Sequence, residues 1–334
     1  MCNADESEPG TFKDRVLMEE DPFAIVEAMT IAAFATGCER AFVYIRGEYP
    51  LAASALASTR STRRRRSACS ATLDIEIRRG GGAYICGEET ALFESIEGGR
   101  GEPRNKPPFP VDVGLFGKPT VVNNVETLAN VPHIILDGAR AFAADRHRRS
   151  RPARACSVCR ARVQVPGVYE APFGDDAARG DRDGGRTATG TDAARGAAGR
   201  RGRHVPRAPD ELDLRLTHED TRAAGTTLGS GVVMVDRRRR RSARACAAHR
   251  RRSSATNPAV SACRAVSASI RQEEALRRMM AAGDGHGVAH EIALLDDVGA
   301  AMKDASICGL GQTAIRGDRI RDQTPGLFGG GSAR

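Results

Sequence analysis

The sequence predicts an α/β fold followed by a small helical region, and three observations carry that prediction. Short apolar strands alternate with helical stripes in the first part of the chain, the turns between them are rich in glycine, and two helical periods lie near the end. Strands alternating with helices through Gly-rich turns are the pattern of an α/β domain.

The elements follow in order. Asp21-Pro22 places an N-cap before a proline at the first helical position, and Ile25, Val26, Met29 and Ala33 continue the stripe as far as Gly37. Ala41-Phe42-Val43-Tyr44-Ile45 is a short buried strand. Leu73, Ile75 and Ile77 alternate with Asp74, Glu76 and Arg78, which predicts a half-buried strand. That strand runs into Gly80-Gly81-Gly82, and a helix is expected to begin near Gly87-Glu88. Asn123-Asn124-Val125-Glu126 has capping-box spacing and opens another helix. Glu273–Ala282 and Glu291–Ala305 read as the C-terminal helices.

Composition narrows the classes. A chain of 334 residues has room for two or three domains and a packed core. It holds no apolar run of membrane-spanning length, and the acidic start Met1-Cys2-Asn3-Ala4-Asp5-Glu6 lacks the apolar stretch of a signal peptide. Nine cysteines, an odd number, do not form a secreted disulfide framework.

The net charge of +9 rests on 51 Lys+Arg against 42 Asp+Glu, and only Lys13, Lys106, Lys118 and Lys303 are lysine. The arginines concentrate in blocks at 59–68, 146–162, 178–207 and 237–252, which have no aromatic residue and no apolar period. Such stretches bury too little to offset their ordering entropy, so disorder or poor packing is expected there. One explanation covers all four: stretches of a GC-rich gene read out of frame. A nucleic-acid-binding protein using the blocks on phosphates is the reading from another class, although they lack interleaved aromatics and match no recognition motif. An inactive remnant is a third.

Three segments are unusually polar. Asn3 through Arg15 places the carboxylates of Asp5, Glu6 and Glu8 within four residues, which suits either a solvated turn or a ligand's hydroxyls. Gly80 through Leu92 joins a strand to a helix start through glycines. There Glu88-Glu89 disfavours a bare phosphate and suits ribityl or ribose hydroxyls. Arg104-Asn105-Lys106-Pro107-Pro108-Phe109-Pro110 is a proline-stiffened loop with a cation and a ring. Gly117 through Leu128 then offers a helix start with two Asn to a phosphate. Taken singly, Lys106 reads first as a surface residue and Phe109 first as a core residue.

With these strings go Arg46-Gly47-Glu48-Tyr49-Pro50, Gly225–Gly231 and Ser306-Ile307-Cys308-Gly309-Leu310-Gly311-Gln312. Together they make the chain resemble the NADH dehydrogenase flavoprotein family: the 51-kilodalton subunit of respiratory complex I and the FMN-containing diaphorase subunits of NAD-dependent formate dehydrogenases and NAD-reducing hydrogenases. The resemblance implies an FMN- and NADH-binding α/β domain over 1–145, a small β-grasp-like (ubiquitin-like) middle domain over 146–236, and a helical iron-sulfur domain over 237–334. Stretches 51–72, 146–162, 175–207 and 237–270 are expected to be degraded.

It further implies FMN, NAD(H) and a 4Fe-4S cluster as cofactors, with hydride passing from NADH to FMN and single electrons onward. Asn3, Asp5, Glu6, Ser7, Gly87, Glu88, Asn123, Asn124 and Thr127 are expected to line the flavin. Glu8, Tyr84, Glu89, Lys106 and Phe109 are expected to face the nicotinamide nucleotide, Phe109 by stacking on adenine. No side chain need act as acid or base. The implied partners are the other subunits of such a complex, notably a 2Fe-2S thioredoxin-like subunit. The implied location is cytoplasmic, peripheral on the inner face of the cell membrane, without membrane insertion.

Two departures from the family pattern stand out. The family's glycine-rich FMN loop lies upstream of the Asn3 string, so an N-terminally truncated domain is expected. The family's Cys-Gly-x-Cys-x-Pro-Cys run is missing. Cys308 matches the distant ligand, but only Cys246 and Cys263 lie where the run belongs, and a 4Fe-4S cluster needs four thiolates. No stable cluster is therefore expected. Cys156-Ser157-Val158-Cys159 has zinc or redox spacing but no second pair.

Overall fold

Strands β1 (Cys2–Ala4), β2 (Arg40–Arg46), β3 (Asp74–Gly80) and β4 (Asn123–Asn124) form one sheet in the order β3-β2-β1-β4. Every pairing in it is parallel, with Cys2 opposite both Val43 and Asn123. The computed structural model describes residues 1–8, 10–66, 73–144, 154–161, 167–172, 195–198, 215–223, 228–236, 263–281 and 288–313. The chain divides into two compact units, Met1–Cys156 with Glu170–Phe173 and Ser157–Tyr169 with Gly174–Arg334.

In the first unit the helices are α1 (Lys13–Glu20), α2 (Pro22–Thr36), α3 (Pro50–Arg66), α4 (Glu89–Ile96), α5 (Val125–Ala129), α6 (Val131–Asp137) and α7 (Ala139–Ala144). Side chains alternate across a strand, and this sorts the layers. Cys2, Ala4, Ala41, Val43 and Ile45 cluster with Met18 of α1, Ile25 and Met29 of α2, Leu56 of α3 and Leu128 of α5. From the opposite face the Tyr44 hydroxyl meets the Ser95 hydroxyl of α4 at 2.8 Å, and the Phe42 ring lies 6.1 Å from that of Phe116. The sheet is thus covered on both sides, as parallel sheets require.

Local sequence sets the helix ends. Asp21 accepts the Ala24 N–H at 3.0 Å and Pro22 opens α2, while Gly37 closes it at φ 68°, a left-handed conformation that favours glycine. At α5 the cap is Asn124, whose side chain accepts the Glu126 N–H at 2.9 Å. The Glu126 carboxylate reaches Lys13 Nζ at 3.0 Å.

That lysine lies at the centre of a buried cluster. Lys13 Nζ also pairs with Asp14, and the Asn124 side-chain amide donates to Asp14 Oδ2 at 2.8 Å. Burial opposes the Lys13 charge, but the Asp14 and Glu126 carboxylates outweigh it and hold the ammonium above its ordinary pKa. The cluster ties the start of α1 to the start of α5.

One expectation for the Arg-rich blocks is corrected. Residues 59–66 are the second half of α3, part of the 51–72 stretch expected to be degraded. The reason is that this helix needs only its first half to bury itself. Ala52, Ala53, Leu56 and Thr59 are buried, and the Arg60 guanidinium donates to the Ile75 carbonyl of β3 at 2.7 Å. Arginine is itself a good helix former. Within the blocks at 146–162 and 178–207, residues 154–161 and 195–198 are likewise strands rather than unstructured chain. The other residues of the blocks at 146–162, 178–207 and 237–252, and residues 67–68, lie outside the described residues.

Strands β5 (Arg154–Ala161) and β6 (Gly167–Pro172) each have residues in both units, and the second unit contains β7 (Arg195–Ala198), α8 (His218–Ala223), β8 (Val232–Asp236), α9 (Cys263–Ala281), α10 (Val288–Ala305) and α11 (Gly309–Thr313). The strand β5 pairs with β8 in parallel, and β7 with β8 antiparallel. Helices α9 and α10 bury Ala275, Leu276, Met279 and Leu295 between them, and Arg278 grips Glu291 with two hydrogen bonds of 2.6 and 2.8 Å. Helix α10 covers the expected Glu291–Ala305, whereas α9 starts at Cys263, well before the expected Glu273 and inside the 237–270 stretch expected to be degraded. No helix among the described residues is long and apolar enough to cross a membrane.

Removing one member of a buried ion cluster leaves the others desolvated and unpaired. Lys13→Met should therefore lower the unfolding free energy of the first unit by about 3–5 kcal/mol, measurable by urea unfolding followed by circular dichroism.

Candidate functional site

In an open parallel sheet, ligands bind outside the carboxyl ends of the strands, where the strand order reverses. Here the chain runs outward from β1 through β2 to β3, then returns to place β4 on the other side of β1. The reversal lies between β1 and β4. All three polar segments marked in the sequence leave the sheet at that edge or abut it.

The strand β1 runs into Asp5–Glu8. Asp5 and Glu6 are buried, and the Ser7 hydroxyl donates to Asp5 Oδ2 at 3.0 Å. The Asn3 side-chain amide donates to the Gly87 carbonyl at 3.0 Å, so the first polar string touches the second. A Cβ on Gly87 would stand at van der Waals distance, 3.4 Å, from the Asp5 carbonyl and from its carboxylate, so Gly87 packs directly against Asp5. Gly87 is exposed, and Gly82 takes φ +83° in the turn after β3. Tyr84 lies half-buried between these two glycines.

Glu88 is the N-cap of α4. Its Oε2 accepts the N–H groups of Thr90 and Ala91 at 2.9 Å each, while Oε1 takes Lys106 Nζ at 3.0 Å. Lys106 also pairs with Glu89, so the like charges at this helix start are offset by the proline loop. Arg104 pins that loop to α4 through Glu94 and Glu97. Phe109 is 53% exposed, its ring open to a partner. Across β1, Asn123 is half-buried, Asn124 spends its side chain on the α5 cap and Asp14, and Thr127 is exposed on α5.

Glu6 behaves unlike its neighbours. Its carboxylate accepts the N–H groups of Asp14 and Arg15 at 2.9 and 3.1 Å and the Tyr49 hydroxyl at 3.1 Å. Burial, with the nearby Asp14 carboxylate, pushes it up to about 7. Arg46 donates to the Glu6 carbonyl at 2.6 Å and to Glu48 at 2.7 Å, and its guanidinium lies 5.1 Å from the Tyr49 ring centroid. Its Nε–H is buried with no acceptor among the described residues. Cys86, the cysteine of this region, is buried and its thiol raised by burial, which suits packing rather than reaction.

Exposed Gly87 beside the Asp5 carboxylate and the Asn3 side chain lets a ligand approach the backbone next to acceptors, which suits a hydroxyl-bearing planar cofactor such as FMN. A cavity of about 250 Å³ opens at the opposite, amino edge of the sheet, walled by Met29, Phe42, Leu115, Phe116 and Leu128. Of the residues expected at the flavin or the nicotinamide nucleotide, Asn123 alone lines it. No group of three or more His, Cys, Asp or Glu among the described residues could hold a metal ion. Cys308 is half-buried in the turn between α10 and α11. Cys246 lies outside the described residues, as does part of Gly225–Gly231.

Fold and site define a flavin-nucleotide-binding α/β domain, and residues 1–133 match the family model described as the Nuo51 FMN-binding domain. An NADH-quinone oxidoreductase subunit of Rhizobium meliloti (strain 1021) is 42% identical over 251 residues, covering 70% of this chain and 58% of that protein. The HndC subunit of the NADP-reducing hydrogenase of Solidesulfovibrio fructosivorans is 36% identical over 329 residues, 94% of this chain and 64% of that one. Among solved structures, an NAD+-reducing NiFe-hydrogenase in the H2-reduced state superposes with a TM-score of 0.80 at 34% identity, over 96% of this chain and 53% of that one. The chain belongs to the flavoprotein family of the complex I 51-kilodalton subunit. It spans between about half and two thirds of the length of these relatives.

Sequence reasoning missed Lys13, Asp14, Arg46 and Tyr49 as parts of this edge. The signal was faint: a lysine next to an aspartate normally reads as surface, and charged residues are almost never fully buried unless paired.

The raised Glu6 gives a pH test. The folded state holds that proton more tightly than the unfolded chain, so its contribution is complete below pH about 4.5 and is lost as pH rises through about 7. Urea midpoints should fall across that window in the wild type, and Glu6→Gln should flatten the fall.

Proposed function

We propose that this chain is the NADH-oxidising flavoprotein subunit of an electron-transfer complex, holding FMN at the carboxyl edge of its parallel sheet. The observation that carries the reading is the meeting of Asn3, Asp5 and Gly87 at the point where strand order reverses. Bound FMN supplies the conversion between a two-electron donor and one-electron acceptors.

The residues' own tasks are binding and orientation. Asn3, Asp5, Ser7, Gly87, Glu88, Asn123 and Thr127 surround the flavin edge. Glu6, Glu88 and Asn124 act through the backbone, since their side chains are spent on α1, on the α4 start and Lys106, and on Asp14 and the α5 cap. Glu8, Tyr84, Glu89, Lys106 and Phe109 receive the nicotinamide nucleotide. Lys106 fixes the two glutamates, and the exposed Phe109 ring stacks on the adenine. With FMN and the nicotinamide nucleotide bound, direct hydride transfer between them would need no side chain to move a proton, so the residues' task is to orient.

The same reading makes 146–236 a β-grasp-like middle domain and 237–334 a helical iron-sulfur domain, after the FMN and NADH domain of 1–145. A 4Fe-4S cluster takes four thiolates. Cys308 is the family-matched ligand among the described residues, which bring no such set together. No step is therefore routed through a cluster. The partners are subunits of a complex I type assembly, including a 2Fe-2S thioredoxin-like subunit, in the cytoplasm at the inner face of the membrane. Likeness to a hydrogenase subunit and to an NAD+-reducing hydrogenase supports a second reading, the diaphorase subunit of a hydrogenase or formate dehydrogenase.

The full chain incubated with FMN should retain yellow, quenched flavin after gel filtration and reduce ferricyanide with NADH. Colourless protein without turnover would sink the proposal. With activity present, Phe109→Ala should raise KM for NADH about tenfold, the scale of one base–aromatic stack, with little change in kcat.

A further inference from the structure

The string Arg46-Gly47-Glu48-Tyr49 matches the family but has no role in the site so far assigned. We propose that Arg46 is a positioning residue for the flavin: its guanidinium locks the exits of β1, β2 and β3 into one frame. The inference rests on the cofactor reading above.

Three contacts carry it. One guanidinium nitrogen donates to the Glu6 main-chain carbonyl at 2.6 Å, at the centre of the Asp5–Glu8 loop. The other donates to Glu48 Oε1 at 2.7 Å, in the loop that follows β2. A Cβ on Gly82 would stand 3.2 Å from that same Oε1, so Glu48 lies directly against the glycine turn after β3. The guanidinium also covers the Tyr49 ring, whose hydroxyl holds the Glu6 carboxylate. Glu6 is thereby held at both its carbonyl and its side chain.

The peptide that Arg46 holds lies between Asp5 and Ser7, two residues expected at the flavin. The Ser7 N–H turns back to the Asp5 carbonyl at 2.7 Å, and this tight turn fixes the direction of the Asp5 and Ser7 side chains. A lysine cannot replace the fork, because one ammonium cannot donate in two fixed, divergent directions from a planar frame. The positive charge adds a second effect. Arg46 is paired with Glu48, so its loss leaves that carboxylate uncompensated at this edge and disfavours the electron-rich reduced flavin even where the fold is intact.

The test compares the full-length wild type with Arg46→Met and Arg46→Lys, each checked by circular dichroism for an unchanged fold. Amide exchange at Ser7 and Glu8 is measured without flavin, then the FMN dissociation constant and the flavin reduction potential. Arg46→Met should exchange faster at Ser7 and Glu8, bind FMN about tenfold or more weakly, the scale of a lost charge-assisted hydrogen bond, and carry a more negative flavin potential. Arg46→Lys should restore the potential but only part of the affinity. Unchanged FMN affinity and potential in a folded Arg46→Met protein would overturn the inference while leaving the cofactor reading in place. If Arg46→Met does not fold, full wild-type affinity in Arg46→Lys overturns it. A wild type that binds no FMN would overturn both.

Discussion

The carboxylate of Glu6 is the constraint on which the carboxyl edge of the sheet depends. It is buried, accepts two N–H groups from the first turn of α1, and takes the Tyr49 hydroxyl from the β2 exit. The exposed donors of a helix start are thus satisfied from outside the helix, by a residue eight and nine positions upstream of them. Because Glu6 follows β1 directly, the same contact anchors the loop that carries Asp5 and Ser7. The Lys13 cluster does the corresponding work on the other side of β1, joining α1 to Asn124 and Glu126.

Structure and function divide the polar residues of this edge between them. Glu6, Asn124 and Glu88 spend their side chains on helix starts, and Lys106 is drawn onto Glu88 and Glu89. What stays exposed is Gly87 itself and the ring of Phe109. This division explains why a run of charges so dense can exist in a folded protein. Buried Glu6 meets a helix start, and buried Lys13 and Asp14 meet each other.

The first unit was largely legible from its residues. Asp21-Pro22 and Gly37 mark both ends of α2, and the alternation through Leu73, Ile75 and Ile77 marks β3, because caps and periods are local physics. The site strings were visible as polar runs, yet their division of labour was not. Whether Glu6 faces a ligand or a helix start depends on Tyr49 and Asp14, which the sequence places 43 and 8 positions away. The Arg block of α3 misled for the opposite reason. Composition suggested too little apolar surface, while Leu56, Thr59 and the Arg60 contact to β3 suffice to seat the helix.

The central claim is that the flavin sits at the carboxyl edge of the parallel sheet, between β1 and β4. A crystal structure of the full chain grown with FMN tests it most directly. Flavin density is expected in contact with Asn3, Asp5 and Gly87. Density instead in the amino-edge cavity beside Met29 and Phe116, or none at saturating FMN, would contradict it.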